Sequence, residues 1–150
     1  MKKTLLYKLF RIGSIPRKVA PILQDEGIVV YDEGIGGCFK TKNVKAPGKR
    51  YIHRSEWFSG CLVVTMKRII CYTFWKRQIN ISVNDHRISE LFVDAPNEQT
   101  LIISFESSVF RDGWQGVIEY RFKTQKALQF QDVLTSKGVQ QGSAAGKSSS

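Results

Sequence analysis

From about residue 27 onward the apolar residues fall in short runs and alternations, while near both ends they fall at helical spacing. The clearest stretch is Gly60 to Tyr72, Gly-Cys-Leu-Val-Val-Thr-Met-Lys-Arg-Ile-Ile-Cys-Tyr, two apolar runs rich in β-branched residues and broken by Thr65 to Arg68. Such side chains pack well on a pleated surface and the polar break supplies a turn, so the stretch predicts an antiparallel hairpin. Ile79, Ile81 and Val83 alternate with Asn80 and Ser82, which predicts a strand over 79–83. Residues 88–93, 101–105 and 117–122 read as further strands, separated by Pro96-Asn97 and by a loop over 107–116 that carries Asp112-Gly113, Trp114 and Gly116. Upstream, strands are predicted at 28–31, 35–44 and 51–58, with Lys45-Ala46-Pro47-Gly48-Lys49 turning between the last two.

Helical pieces flank this region. Over 4–12, Leu5, Leu6, Leu9 and Phe10 share a face with Lys8 and Arg11 off it, and Gly13 and Pro16 end the helix. Residues 17–24 form a second helical or extended piece, limited by Pro21. Near the end, Thr124 is placed to cap a helix over 125–136 whose Ala127, Phe130, Val133 and Leu134 form an apolar face. The pattern divides the chain into an N-terminal helical extension (1–26), one β-rich domain (27–137) and a disordered tail (138–150) that ends in a Gly/Ser/Ala-rich stretch. Seven or so strands followed by one amphipathic helix predict a small antiparallel barrel or curled sandwich capped by that helix.

In detail the central hairpin runs Gly60, an apolar strand ending in Thr65, two residues, then Arg68 leading a second apolar strand. It resembles the central hairpin of bacterial PH-like and GRAM domains of the pleckstrin-homology superfold. Ile79 to Ile88 looks like the family's next strand and the turn leaving it, and a last strand running straight into a helix matches how these domains close. The resemblance covers residues 27–136. It implies a mainly β, PH-like antiparallel split barrel capped by the C-terminal helix, and a module that binds lipids, proteins or peptides.

Charge adds a direction. The chain has 23 Lys and Arg against 13 Asp and Glu, a net +10, which favours anionic partners such as phospholipid head groups, nucleic acid or an acidic protein face. No apolar run reaches the roughly 18 residues of a spanning helix, so the expectation is a soluble cytoplasmic chain, peripheral at any membrane it binds. Cys38, Cys61 and Cys71 are odd in number and lack a Cys-x-x-Cys pair. Cys61 and Cys71 sit in apolar strands, where buried free thiols are expected over a disulfide.

The strongest cluster is Lys40, Lys42, Lys45, Lys49, Arg50 and Arg54, with His53 and not one carboxylate between Lys40 and Arg54. Folded about Pro47-Gly48 these cations would gather on one hairpin, as multiply charged phosphates require. Phosphoinositide-binding PH domains flank an early hairpin in the same way, although their basic-x-Arg spacing is replaced here by Arg50 and Arg54, four residues apart. Further contact candidates are Leu5, Leu6, Leu9 and Phe10, whose face can pack on the domain or lie in a membrane interface, with packing favoured. Trp75, Lys76 and Arg77 interleave aromatic and basic groups, and Trp114 is a candidate exposed anchor, whereas Trp57 and Phe58 are read as core.

His53 and His86 stand in no ligand spacing, Asp85 beside His86 reads as turn chemistry, and no phosphate-binding glycine loop opens a helix. The expectation is therefore a non-catalytic module with no metal, cofactor or small-molecule substrate. Docking on anionic phospholipid through the basic hairpin ranks first, protein interaction through a barrel edge or the C-terminal helix groove second, and nucleic acid third.

Overall fold

Residues 3–144 are described by the structure, a computed structural model, with the backbone alone at 49–53. Pro47 and Gly48 join two strands much longer than the pattern predicts: β1 (Ile28–Ala46) and β2 (Lys49–Thr65). The expected strands at 28–31 and 35–44 are one, as are 51–58 and the first arm of the central hairpin. Irregularities within β1 explain why the alternation looked broken. The register slips between Glu33 and Ile35 in the pairing with β2, and between Lys42 and Lys45 in the pairing with β7. Gly34 and Asn43 take positive φ, +66° and +53°, so each extra residue shifts the alternation by one while keeping Ile35 and Val44 in the core.

The central hairpin forms as predicted, β2 pairing with β3 (Arg68–Thr73). The Thr65 hydroxyl closes the turn by accepting from the Lys67 and Arg68 amides at 3.1 and 3.0 Å. It also donates to Glu26, whose carboxylate receives Arg68 Nε at 2.8 Å. Burial opposes the charge on Glu26, but Arg68 and Thr65 outweigh it and hold this carboxyl below its usual range. Next come β4 (Lys76–Ser82), β5 (Phe92–Asn97), β6 (Thr100–Glu106) and β7 (Gln115–Lys123).

Residues 86–90, predicted in part as strand, form a 3-10 helix whose Ile88 is buried. Asp85 caps it by accepting from the Arg87 amide at 2.9 Å. Pro96 and Asn97 end β5 rather than separating strands, at a register irregularity in its pairing with β6.

Among the described residues the strands make one sheet in the order β4-β3-β2-β1-β7-β6-β5-β8, where β8 is Gln140–Gln141 and adds in parallel to β5. The sheet curls into a half-barrel. Tyr120 on β7 reaches across the concave face to donate to Gln78 on β4 at 3.3 Å. Helix α3 (Ala127–Ser136) closes one end, burying Ala127, Phe130 and Leu134 with Val133 packed alongside, as its spacing predicted. Thr124 is not its N-cap residue, which is Lys126; the buried Thr124 hydroxyl donates to Asp32 at 2.7 Å and accepts from the Lys126 amide at 3.1 Å.

Part of the expected tail is built into the domain. Val139 joins the core, and Ala144 is buried against Phe92 and Val117, its amide donating to Ser104 Oγ at 3.0 Å. Residues 145–150 lie outside the described residues.

The convex face carries a second, smaller core. Leu23 of α2 (Ala20–Glu26) buries against Cys61, Val63, Ile70 and Tyr72. Pro21 stands in the first turn of α2 and so begins this helix instead of limiting it, because the missing amide proton has no partner to lose there. Cys61 lies opposite Tyr72, and Leu62 opposite Cys71. Neighbours along a strand point to opposite faces, so the two thiols sit in different cores and are free.

Phe130 is fully buried at the plugged end. We expect Phe130→Ala to lower unfolding stability by about 3–5 kcal/mol in urea titration. Exposed Leu128→Ala, on the same helix, should change it by less than about 0.5 kcal/mol.

Candidate functional site

The end of the half-barrel away from α3 is open. A cleft of about 400 Å³ enters there between residues 56–58 of β2, the β3–β4 turn and the loop after β6. Its floor is aromatic: Phe39 and Tyr120 lie 5.1 Å apart, and Phe58 stands edge-on to Tyr120 at 6.2 Å. Burial raises the Tyr120 hydroxyl well above its usual range, so it stays protonated and able to donate. At the rim are Lys76, Arg77 and Arg111. The one carboxylate in the lining, Glu56, is engaged by Arg54. Trp57 is 56% exposed rather than core, and Phe74 stands edge-on to it at 6.2 Å.

Topology splits the predicted cation cluster. Lys40 and Lys42 alternate away from Phe39 and Thr41, onto the convex face. There Lys42 approaches the buried Glu119 at 3.7 Å, which Arg121 also holds at 2.7 Å. Arg54 pairs in register with Thr41, on the concave side, beside Glu56. Lys45 is exposed beyond the Asn43 bulge, and the Lys49 and Arg50 side chains lie outside the described residues. Among the described side chains the hairpin does not gather its cations at one mouth.

Of the second cluster, Lys76 and Arg77 line the cleft while Trp75 stands exposed at the turn beside it. Trp114 is half-buried against the core with Arg111 stacked 4.6 Å above its ring, which corrects its reading as the exposed anchor. Arg111, Phe39 and Tyr120 carried no sequence signal for the site, because only the pairing of β7 with β1 and the fold of the 107–114 loop bring them there.

Helix α1 (Leu5–Phe10) is oriented opposite to the favoured expectation. It docks through polar groups. Lys3 Nζ reaches Asp32 at 2.7 Å, the Thr4 amide donates to Gly34 O at 3.0 Å, and the Tyr7 hydroxyl donates to Glu33 at 3.0 Å. Burial and the facing Glu33 carboxylate raise the Tyr7 hydroxyl above its usual range. Leu5, Leu9 and Phe10 point outward, 69%, 65% and 64% exposed, and Leu6 is half-buried.

Other titratable groups are structural in their geometry. Arg87 hydrogen-bonds Asp85 through side chain and backbone and holds its carboxyl down to about 2, while His86 stands exposed 3.6 Å away. Burial pushes the Cys61 thiol up to about 12 and the Cys71 thiol well above its usual range. No described helix is long and apolar enough to cross a membrane. No family model matches the chain, and no curated protein is significantly similar to it.

Since reaction with a disulfide reagent needs an accessible thiolate, the native protein at pH 8 should titrate one thiol per chain, the half-buried Cys38. All three should react in denaturant. Rapid native reaction of two or more would mean that the two cores are not closed.

Proposed function

We propose that this chain is a non-catalytic binding module of PH-like architecture that docks on anionic phospholipid surfaces through the open end of its half-barrel. The observation that carries the reading is the cleft, where Lys76, Arg77 and Arg111 converge over an aromatic floor and Arg54 engages the lone lining carboxylate. Convergent cations at a partly desolvated mouth are what phosphate recognition requires. Exposed Trp57 and Trp75 beside the mouth suit the head-group region, where amphipathic rings are enriched. The antiparallel order from β4 to β5 and a helix directly after β7 are compatible with the PH-like reading. The charges left exposed on the β1–β2 hairpin, Lys45 among them, add long-range attraction.

One observation favours a second reading, protein interaction at a sheet edge. Residues 140–141 add to β5 as an extended segment, so this edge is competent for strand addition.

Co-sedimentation with phosphatidylcholine vesicles, with and without phosphatidylglycerol, tests the first reading. Each cation near the surface contributes about 1 kcal/mol, so the combined change of Lys76, Arg77 and Arg111 to Glu should weaken binding to the acidic vesicles by more than tenfold. Lys137→Glu, beyond the end of α3, should leave it nearly unchanged. Equal binding by the triple reversal would eliminate the cleft as the docking mouth.

A further inference from the structure

We infer that α1 is a preformed apolar anchor that seats in the head-group boundary of an anionic bilayer, an inference that rests on the lipid-docking reading. Six residues are too few for a stable helix alone, so the order of α1 comes from its docking. That docking runs through a chain of hydrogen bonds, with the Tyr7 ring packed on Gly34. Thr4 accepts from the Tyr7 amide and shares a hydrogen bond with Ser59, Ser59 donates to Ile12 O, and Glu33 holds both the Tyr7 hydroxyl and the Ile15 amide. Turning the helix to bury Leu5, Leu9 and Phe10 would break these bonds and strand the Glu33 carboxylate. The apolar side chains are therefore fixed outward.

Three features select a bilayer as the occupant. First, residues 1–24 contain Lys2, Lys3, Lys8, Arg11, Arg17 and Lys18 and no Asp or Glu, so the apolar face is set in uniformly positive sequence that complements an anionic surface. Second, the face is a ridge of three side chains on a short helix, and a fluid apolar phase accepts a ridge without a matching groove. Third, it adjoins the aromatic rim of the cleft. A Cβ on Gly36 would lie 3.3 Å from the Thr4 methyl and 3.8 Å from the Trp57 indole nitrogen, so the start of α1 and the exposed Trp57 flank the same glycine. The start of α1 therefore lies beside Trp57, a residue of the cleft lining.

The test uses the full chain with Leu5, Leu9 and Phe10 all changed to Asn, after circular dichroism and thermal unfolding show the fold retained, as exposed positions allow. Binding to the same acidic vesicles is measured across a salt series. The expected result is a loss of roughly tenfold or more at every salt concentration, with the slope against salt unchanged, because the lost contribution is apolar burial. The cleft charge reversal should instead flatten the slope. Wild-type binding by the Asn variant, with the charge reversal still defective, would overturn the anchor and leave the docking reading standing. Failure of the wild-type chain to bind any vesicle would overturn both. Conversion of a dimer to a monomer by the Asn variant, with vesicle binding unchanged, would assign the face to a second copy and overturn the bilayer.

Discussion

At Gly34 the first strand takes an extra residue, and the amide and carbonyl released from the ladder bind the N-terminal segment instead. The Gly34 amide donates to Gly13 O at 2.9 Å, and its carbonyl accepts from the Thr4 amide at 3.0 Å. Positive φ and close contact both require glycine here, since a Cβ would stand 2.3 Å from the Tyr7 ring. The bulge sets Glu33 to receive Tyr7 and Ile15 and keeps Asp32 beneath Lys3 and Thr124. One irregularity in β1 thereby ties together the N-terminal segment, the sheet and the junction leading into α3. The orientation of α1 follows from it.

The same strand shapes the other end. Beyond the Asn43 bulge, Val44 returns to the core and the tip of the hairpin carries on to Pro47, where the Gly113 loop approaches; a Cβ on Gly113 would lie 3.4 Å from the proline ring. The 107–114 loop thus brings Arg111 over the cleft while Trp114 packs inward. The plugged end and the open end of the half-barrel differ in chemistry for a topological reason. After β7 the chain turns into α3 and fills one end with Phe130 and Leu134, and among the described residues no element does so at the other.

Much of this was legible in the sequence where the signal is local. The hairpin at 60–72, the turn at Pro47-Gly48 and the buried face of α3 follow from β-branched runs, turn chemistry and helical spacing. The long strands were not legible, because the bulges at Gly34 and Asn43 shift the two-residue period and imitate ends. Periodicity gave the shared face of Leu5, Leu9 and Phe10 but could not give its direction, since the partners that decide it, Glu33 and Ser59, are distant in sequence and polar. The β8 pairing carries no apolar signal in Gln140 and Gln141; only Val139 and Ala144 are buried there. Two of the three cations lining the cleft, Lys76 and Arg77, stood out as an aromatic-basic cluster, whereas Arg111 and Tyr120 required the topology. The cation cluster at 40–54 was real as composition, and strand alternation divided it between two faces.

The central claim is that the N-terminal helix is held by its polar side against the bulge, with its apolar side turned out. Hydrogen exchange measures this directly. The amides of Tyr7, Lys8, Arg11 and Ile15 all donate within the docked segment, so they should exchange far more slowly than an unstructured chain. Glu33→Gln should release those four while the β2–β3 amides stay protected. Wild-type exchange of the four at the unprotected rate would contradict the account.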